Sequence, residues 1–242
     1  MLTASPSSPV RRTSQGSGLG VAIGPAILPR PEAAVTDYEA GTPGKERRRL
    51  EKVLTKAEKQ LRKLAAQPVR ANAAIFGAQR ELLLDHRLTD VAYRLIAGGE
   101  PATTAWAHAV EQHRPWLRGL PDAPGQLELA DSVEHRVLAL LTGSPTEIQL
   151  AEAGILVVPV LDPGMAVTLD ASRVLGVVTI GGGATGHGVI IARSRGIPIY
   201  AAAGAEAAEV KSGDTIAFVA RGDRHLTVNP DEEKLAEYQR VL

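Results

Sequence analysis

Val174-Leu175-Gly176-Val177-Val178-Thr179-Ile180 runs into Gly181-Gly182-Gly183-Ala184-Thr185-Gly186-His187, and Gly188-Val189-Ile190-Ile191-Ala192-Arg193 follows. The apolar run from Val174 to Ile180 reads as a buried strand, and the glycine cluster breaks it. A new apolar pattern starts after His187; Arg193 and Arg195 follow it, and Gly196 and Pro198 stop it. The stretch is a strand, a glycine loop and a short helix, with one imidazole at the helix N-terminus. Unpaired backbone N–H groups and the positive end of the helix dipole gather there, which suits an anion. The same field favours a neutral, nucleophilic imidazole over imidazolium. His187 beside amides that can hold a phosphoryl group outlines a phosphohistidine site, and the same residues also fit a plain helix cap.

At 242 residues the chain can bury one good core and a second small one. Aromatics make up 3% of it, so the cores are expected to be aliphatic. With no cysteine there are no disulfides, thiolate metal sites or cysteine nucleophile, a composition that fits a cytoplasmic setting. A net charge of zero argues against a general nucleic-acid or membrane-surface binder. No apolar run approaches membrane-spanning length. Residues 1–15, rich in Ser, Pro and Thr with Arg11 and Arg12, lack the apolar core of a secretory signal and read as a disordered tail.

Gly18 to Leu28 is strand-like and dense in glycine, readable as an ordinary edge strand; Pro31 to Gly44 reads as linker. From Lys45 to Leu64 the spacing predicts a helix, with Leu50, Val53, Leu54, Ala57, Leu61 and Leu64 on one stripe. Arg47, Arg48, Lys52, Lys56, Lys59 and Lys63 crowd the rest, a solvated face more than a nucleic-acid site. A second helix is expected from about Arg70 to Ile96, bent near Asp85 to Thr89, where Thr89 could recap it. A third runs from about Pro101 to Leu117, with Ala102, Ala105, Trp106, Ala109, Val110, His113, Trp116 and Leu117 on one side. After a break at Pro121 to Gly125, a fourth spans Leu127 to Leu141. Four helices with short joints make a bundle that packs by itself. From Glu147 short elements alternate: strands at Ile155 to Leu161, Val174 to Ile180 and Ile199 to Ala202, with a short helix from Asp162-Pro163 to Leu169. Thr215 to Ala220 and His225 to Val228 pair as a hairpin, and Asp231 to Leu242 is a terminal helix.

Gly182 to Arg193, with Gly196-Ile197-Pro198 after it, resembles the active-histidine signature of the phosphoenolpyruvate-utilising enzymes, Gly-Gly-x-x-Ser-His-x-x-Ile-x-Ala-Arg with Gly-Ile-Pro downstream. Gly186 stands where that pattern has Ser. Further resemblance is to Enzyme I of the sugar phosphotransferase system. Gly20, Ala22, Gly24 and Ala26 match its opening, with Gly18 and Leu19 in place of a Ser-Pro pair. Ala74-Ile75-Phe76 with Leu83-Leu84-Asp85 and Leu88 is similar to the second helix of its helical subdomain, and Ala130 to Gly143 to the helix leading out.

The resemblance implies an α/β phosphohistidine (swivelling) domain over 16–40 and 144–242, with an inserted four-helix bundle over 41–143. It implies that His187 is the phosphorylated catalytic histidine, with Thr185, Gly186, Gly188 and Arg193 around the phosphoryl group. Asp162 falls where the family has Thr near that histidine; its carboxylate could hold the other imidazole nitrogen or repel the phosphoryl group. His86, His108, His113 and His135 lie on the expected bundle, and His225 opens a hairpin strand; none has metal-ligand spacing. An HPr-like phosphocarrier is the implied partner, docking on the surface of residues 70–90, with a separate phosphoenolpyruvate-binding chain as a further donor. The barrel that binds phosphoenolpyruvate and magnesium in that family has no counterpart in these 242 residues, so no cofactor is expected on them. Two rivals remain open: a docking module that has lost transfer, and a component of a dihydroxyacetone-kinase phosphoryl relay.

Overall fold

The computed structural model describes residues 20–29, 39–67, 72–144, 148 and 150–242. The expected tail over 1–15, Gly18 and Leu19, most of the 31–44 linker, the helix start at Arg70, and Pro68 and Pro145 lie outside the described residues.

Among the described residues six strands form one mixed sheet: β1 (Val21–Ile27), β2 (Gly154–Val158), β3 (Val174–Thr179), β4 (Ile199–Tyr200), β5 (Thr215–Val219) and β6 (His225–Val228). Their order is β4-β3-β2-β1-β5-β6. Neighbours from β4 to β1 run parallel, while β5 and β6 are antiparallel to theirs. The strand near residue 20 is therefore no edge strand, since β1 pairs with β2 on one side and β5 on the other. Its alternation explains the placement. Val21 and Ile23 pack with Ala217, Val219 and Tyr238, whereas Ala22 and Ala26 face Phe218 on the opposite side. Phe218 reaches across to Gly176 on β3, where an added Cβ would lie 2.8 Å from the ring and 2.9 Å from Ala22 Cβ. Small residues at Ala22 and Gly176 let the sheet curl over that ring.

β2 is buried on both faces, as interior parallel strands are. Leu156 and Val158 share a core with α6 (Pro163–Thr168) and α7 (His187–Ser194); Ile155 and Val157 join Phe218, Tyr200 and, on α8 (Ala205–Ala208), Ala207. β4 stops at Tyr200, two residues before the expected end, because Ala202 takes a positive φ of 56°. The terminal helix is α9 (Glu232–Val241), anchored by buried Tyr238.

Between β1 and β2 the described residues form five helices: α1 (Pro43–Ala65), α2 (Asn72–Leu83), α3 (His86–Ala97), α4 (Ala102–Arg118) and α5 (Ala123–Thr142). The basic residues of α1 are exposed, as expected, while Leu50, Leu54, Ala57 and Leu61 are buried. The second stretch is two helices rather than one bent one. Asp85 caps α3 by accepting from the Arg87 N–H at 2.8 Å, so recapping falls at Asp85 and not at Thr89. Trp116 does not face inward; it is 44% exposed, lying under the Arg87 guanidinium 3.8 Å from its ring centre. α5 begins four residues earlier than the spacing predicts, because Pro124 in its first turn gives up an N–H that has no helical partner there.

The helices α1 to α5 pack chiefly on one another, yet their apolar core is continuous with the one beneath α6 and α7. α5 makes that join. Its Ser132, His135, Arg136 and Ala139 face Asp162 and Met165 around a cavity of about 10 Å³. No helix among the described residues is long and apolar enough to cross a membrane.

Candidate functional site

The loop from β3 to α7 carries the candidate histidine. Buried Thr179 anchors its start, donating from Oγ1 to the Gly181 carbonyl at 2.8 Å and accepting from the Ala202 N–H at 3.0 Å. Gly182 then turns the chain with a φ of 76°, in the region that favours glycine. Gly186 is the residue before the helix, and His187 is the first residue of α7. Gly188 packs its backbone directly on the loop between β2 and α6. A Cβ there would overlap the Leu161 carbonyl oxygen and lie 2.8 Å from the carbonyl carbon. At the other end of α7, Arg195 donates to the carbonyls of Ala166 at 2.5 Å and Leu169 at 2.8 Å. α6 and α7 are thus tied together at both ends.

The His187 side chain is 22% exposed, but its Nδ1 is buried and has no hydrogen-bond partner. Solvent reaches the ring from the side away from Nδ1. The group facing Nδ1 is Glu128 of α5, with Oε2 at 3.5 Å; its Oε1 accepts from the His187 backbone N–H at 2.7 Å. A helix N-terminus draws negative charge to its free N–H groups, and here a carboxylate from a distant helix occupies one.

The other expected site residues surround this point without all converging on it. Thr185 is exposed on the loop. Gly186 is half-buried, and a Cβ on it would stand 3.2 Å from the Gly183 carbonyl oxygen and 3.4 Å from Glu128 Oε1. Arg193 folds back and donates from Nη1 to the Ala184 carbonyl at 2.7 Å, bracing the loop. Burial, then the like charges of Arg221 and Arg224, hold its guanidinium below the usual arginine range.

Asp162 stands at the start of α6. Its Oδ1 accepts from the N–H groups of Gly164 at 2.7 Å and Met165 at 3.2 Å, so the carboxylate caps α6. Its charge also faces Arg136, which is only 7% exposed and has an unpartnered Nε. Burial depresses the Arg136 pKa and Asp162 opposes that shift. Glu128, absent from the sequence-derived set, supplies the carboxylate beside the imidazole. It lies 59 residues upstream on an element with no recognisable motif, so no local signal marks it. No cluster of three or more His, Asp or Glu side chains among the described residues could hold a metal ion.

Residues 15–124 match the N-terminal domain of the PEP-utilising enzymes, and residues 150–221 match their mobile domain. The chain belongs to the PEP-utilising enzymes. It is 34% identical over 90% of its length to a multiphosphoryl transfer protein of Xanthomonas campestris, and 31% identical over 67% to a phosphoenolpyruvate-protein phosphotransferase of Haloferax volcanii. It spans 27% and 29% of the length of those two relatives. A solution structure of Enzyme I superposes with a TM-score of 0.66 at 25% identity, covering 96% of this chain and 97% of that one. The N-terminal domain of Enzyme 1 – Nitrogen superposes with a TM-score of 0.56, also at 25% identity, covering 96% and 99%. Like the Enzyme I structures, this PEP-utilising chain combines a mixed sheet with helices.

Proposed function

We propose that the chain is the phosphohistidine part of an Enzyme I-type phosphotransferase, in which His187 exchanges a phosphoryl group with an HPr-like carrier. The observation that carries this reading is the position of His187 at the start of α7, on a glycine loop within the matched mobile domain. In this reading α1 to α5 form a bundle inserted into a swivelling α/β domain. The carrier docks on the surface of residues 70–90, where Leu84, between α2 and α3, is exposed.

The burial of one ring nitrogen supports the other as the reacting atom. Nδ1 is buried against Glu128, so Nε2 is the nucleophile. Its lone pair attacks phosphorus in line, and the bond between phosphorus and the carrier's ring nitrogen breaks, returning that electron pair to the carrier. Loop N–H groups and Thr185 can receive the phosphoryl oxygens, while Arg193 keeps the loop in shape and adds positive charge. A reaction between two imidazoles of similar basicity is reversible, as a relay requires.

The test is exchange with a radiolabelled, phosphorylated HPr-like carrier. Wild-type chain takes up label, and the His187→Ala variant takes up none while keeping its circular dichroism spectrum. Equal uptake by His187→Ala would move the phosphoryl site elsewhere.

A further inference from the structure

We propose that Glu128 is a positioning residue that fixes the tautomer of His187, holding the proton on Nδ1 so that Nε2 presents its lone pair. This rests on the phosphohistidine reading above. Three observations converge on it. Glu128 Oε1 is already held by the His187 backbone N–H at 2.7 Å, which aims the second oxygen at the ring. That oxygen, Oε2, is 3.5 Å from Nδ1, and Nδ1 is buried without any hydrogen bond. A carboxylate oxygen can only accept, so the group it faces is stabilised as N–H. Contraction by less than an ångström, of the kind catalytic hydrogen bonds undergo on forming a reactive complex, completes the bond.

The neighbouring residues agree. Asp162, the carboxylate expected near the imidazole, has its Oδ1 engaged at the start of α6. Gly186 lies alongside Glu128, where a Cβ would stand in ordinary van der Waals contact with Oε1 and Oε2 at 3.4 and 3.7 Å.

Glu128 also matters after attack. As the P–N bond forms at Nε2 the ring of His187 becomes cationic, and the donor's ring loses its cationic charge when its P–N bond breaks. Protons and electrons balance without a further base, and the charge on Nδ1–H faces a carboxylate in place of solvent. Because Glu128 belongs to α5, a tilt of the helical segment against α7 would withdraw this support.

The experiment is long-range 15N–1H correlation spectroscopy of His187 in the full chain, paired with the carrier exchange rate, for wild type, Glu128→Gln and Glu128→Ala. The wild type is expected to show Nδ1 protonated and Nε2 bare. Glu128→Ala is expected to mix the tautomers and slow exchange about 10- to 100-fold, by analogy with the loss seen when the partner behind a metal-bound imidazole is removed. Glu128→Gln keeps the size and an acceptor for the backbone N–H, so it guards against a folding artefact; its rate should fall between the two. A His187 protonated at Nε2 in the wild type, or an unchanged tautomer in Glu128→Ala, overturns the proposal. The spectrum is read without any carrier, so failure of the phosphohistidine reading would appear only in the exchange arm.

Discussion

Gly188→Ala sets two effects of opposite sign against each other. Gly188 is the second residue of α7 and is not among the glycines with positive φ, so alanine should favour the helix by up to about 1 kcal/mol on propensity alone. The added Cβ, however, overlaps the Leu161 carbonyl oxygen and stands 2.8 Å from Leu161 C and 3.1 Å from Asp162 C. Carbon–carbon contacts are optimal at roughly 3.5–4.0 Å, so α7 and the β2–α6 loop must part by about 1 Å. All the obstructing atoms are backbone, and Asp162 is already fixed by its two hydrogen bonds to α6. Overpacking of this kind costs typically 1–3 kcal/mol and more where the backbone cannot yield. With only backbone atoms in the way the cost should lie in the upper part of that range, about 2–3 kcal/mol, for a net loss of about 1–2 kcal/mol. For a chain of this size that lowers Tm by roughly 2–8 °C, and denaturant midpoints should agree. Displacing the first turn also moves His187, so carrier exchange should fall in parallel. An unchanged or raised Tm in Gly188→Ala would show that the close approach is not a constraint, and the account of why α7 sits where it does would fail.

Gly186→Ser should crowd the Gly183 carbonyl, 3.2 Å from the new Cβ, and bring a hydroxyl donor beside the Glu128 carboxylate; an unperturbed Glu128 side-chain carboxyl signal in NMR would contradict this. Asp162→Ala removes the α6 cap and the charge facing buried Arg136, and should cost about 1 kcal/mol or more, whereas Asp162→Asn keeps the cap and isolates the effect of charge. His113 is buried, and that burial lowers its pKa, outweighing the pull of Asp85. The folded chain then binds fewer protons than the unfolded one below about pH 6.5, so stability falls as pH drops through that value, and His113→Gln should flatten the slope of denaturant midpoint between pH 7.5 and 5.5.

The strand, glycine loop and helix around His187 are legible in the sequence because each boundary is local: an apolar run, a glycine break, a renewed apolar period. The hairpin of β5 and β6 and the terminal helix are legible for the same reason. What escapes is set by distance. Whether β1 lies at an edge or in the middle depends on pairing with strands more than a hundred residues away. Trp116 has the right spacing for the core but finds Arg87, on a neighbouring helix, as a surface partner. Asp162 carries a local signature, Asp-Pro at a helix start, that competes with any role at the imidazole. Glu128 belongs to a helix whose charged residues look alike, and only the docking of α5 distinguishes it.

The central claim is that His187 itself carries the phosphoryl group. Its most direct measurement is mass spectrometry of the chain after exchange with a phosphorylated HPr-like carrier, mapping the modified residue under basic conditions. The account predicts a single phosphate on the peptide containing His187, lost in acid and retained in base. A phosphate on another histidine, or an acid-stable phosphate on Thr185, would contradict it.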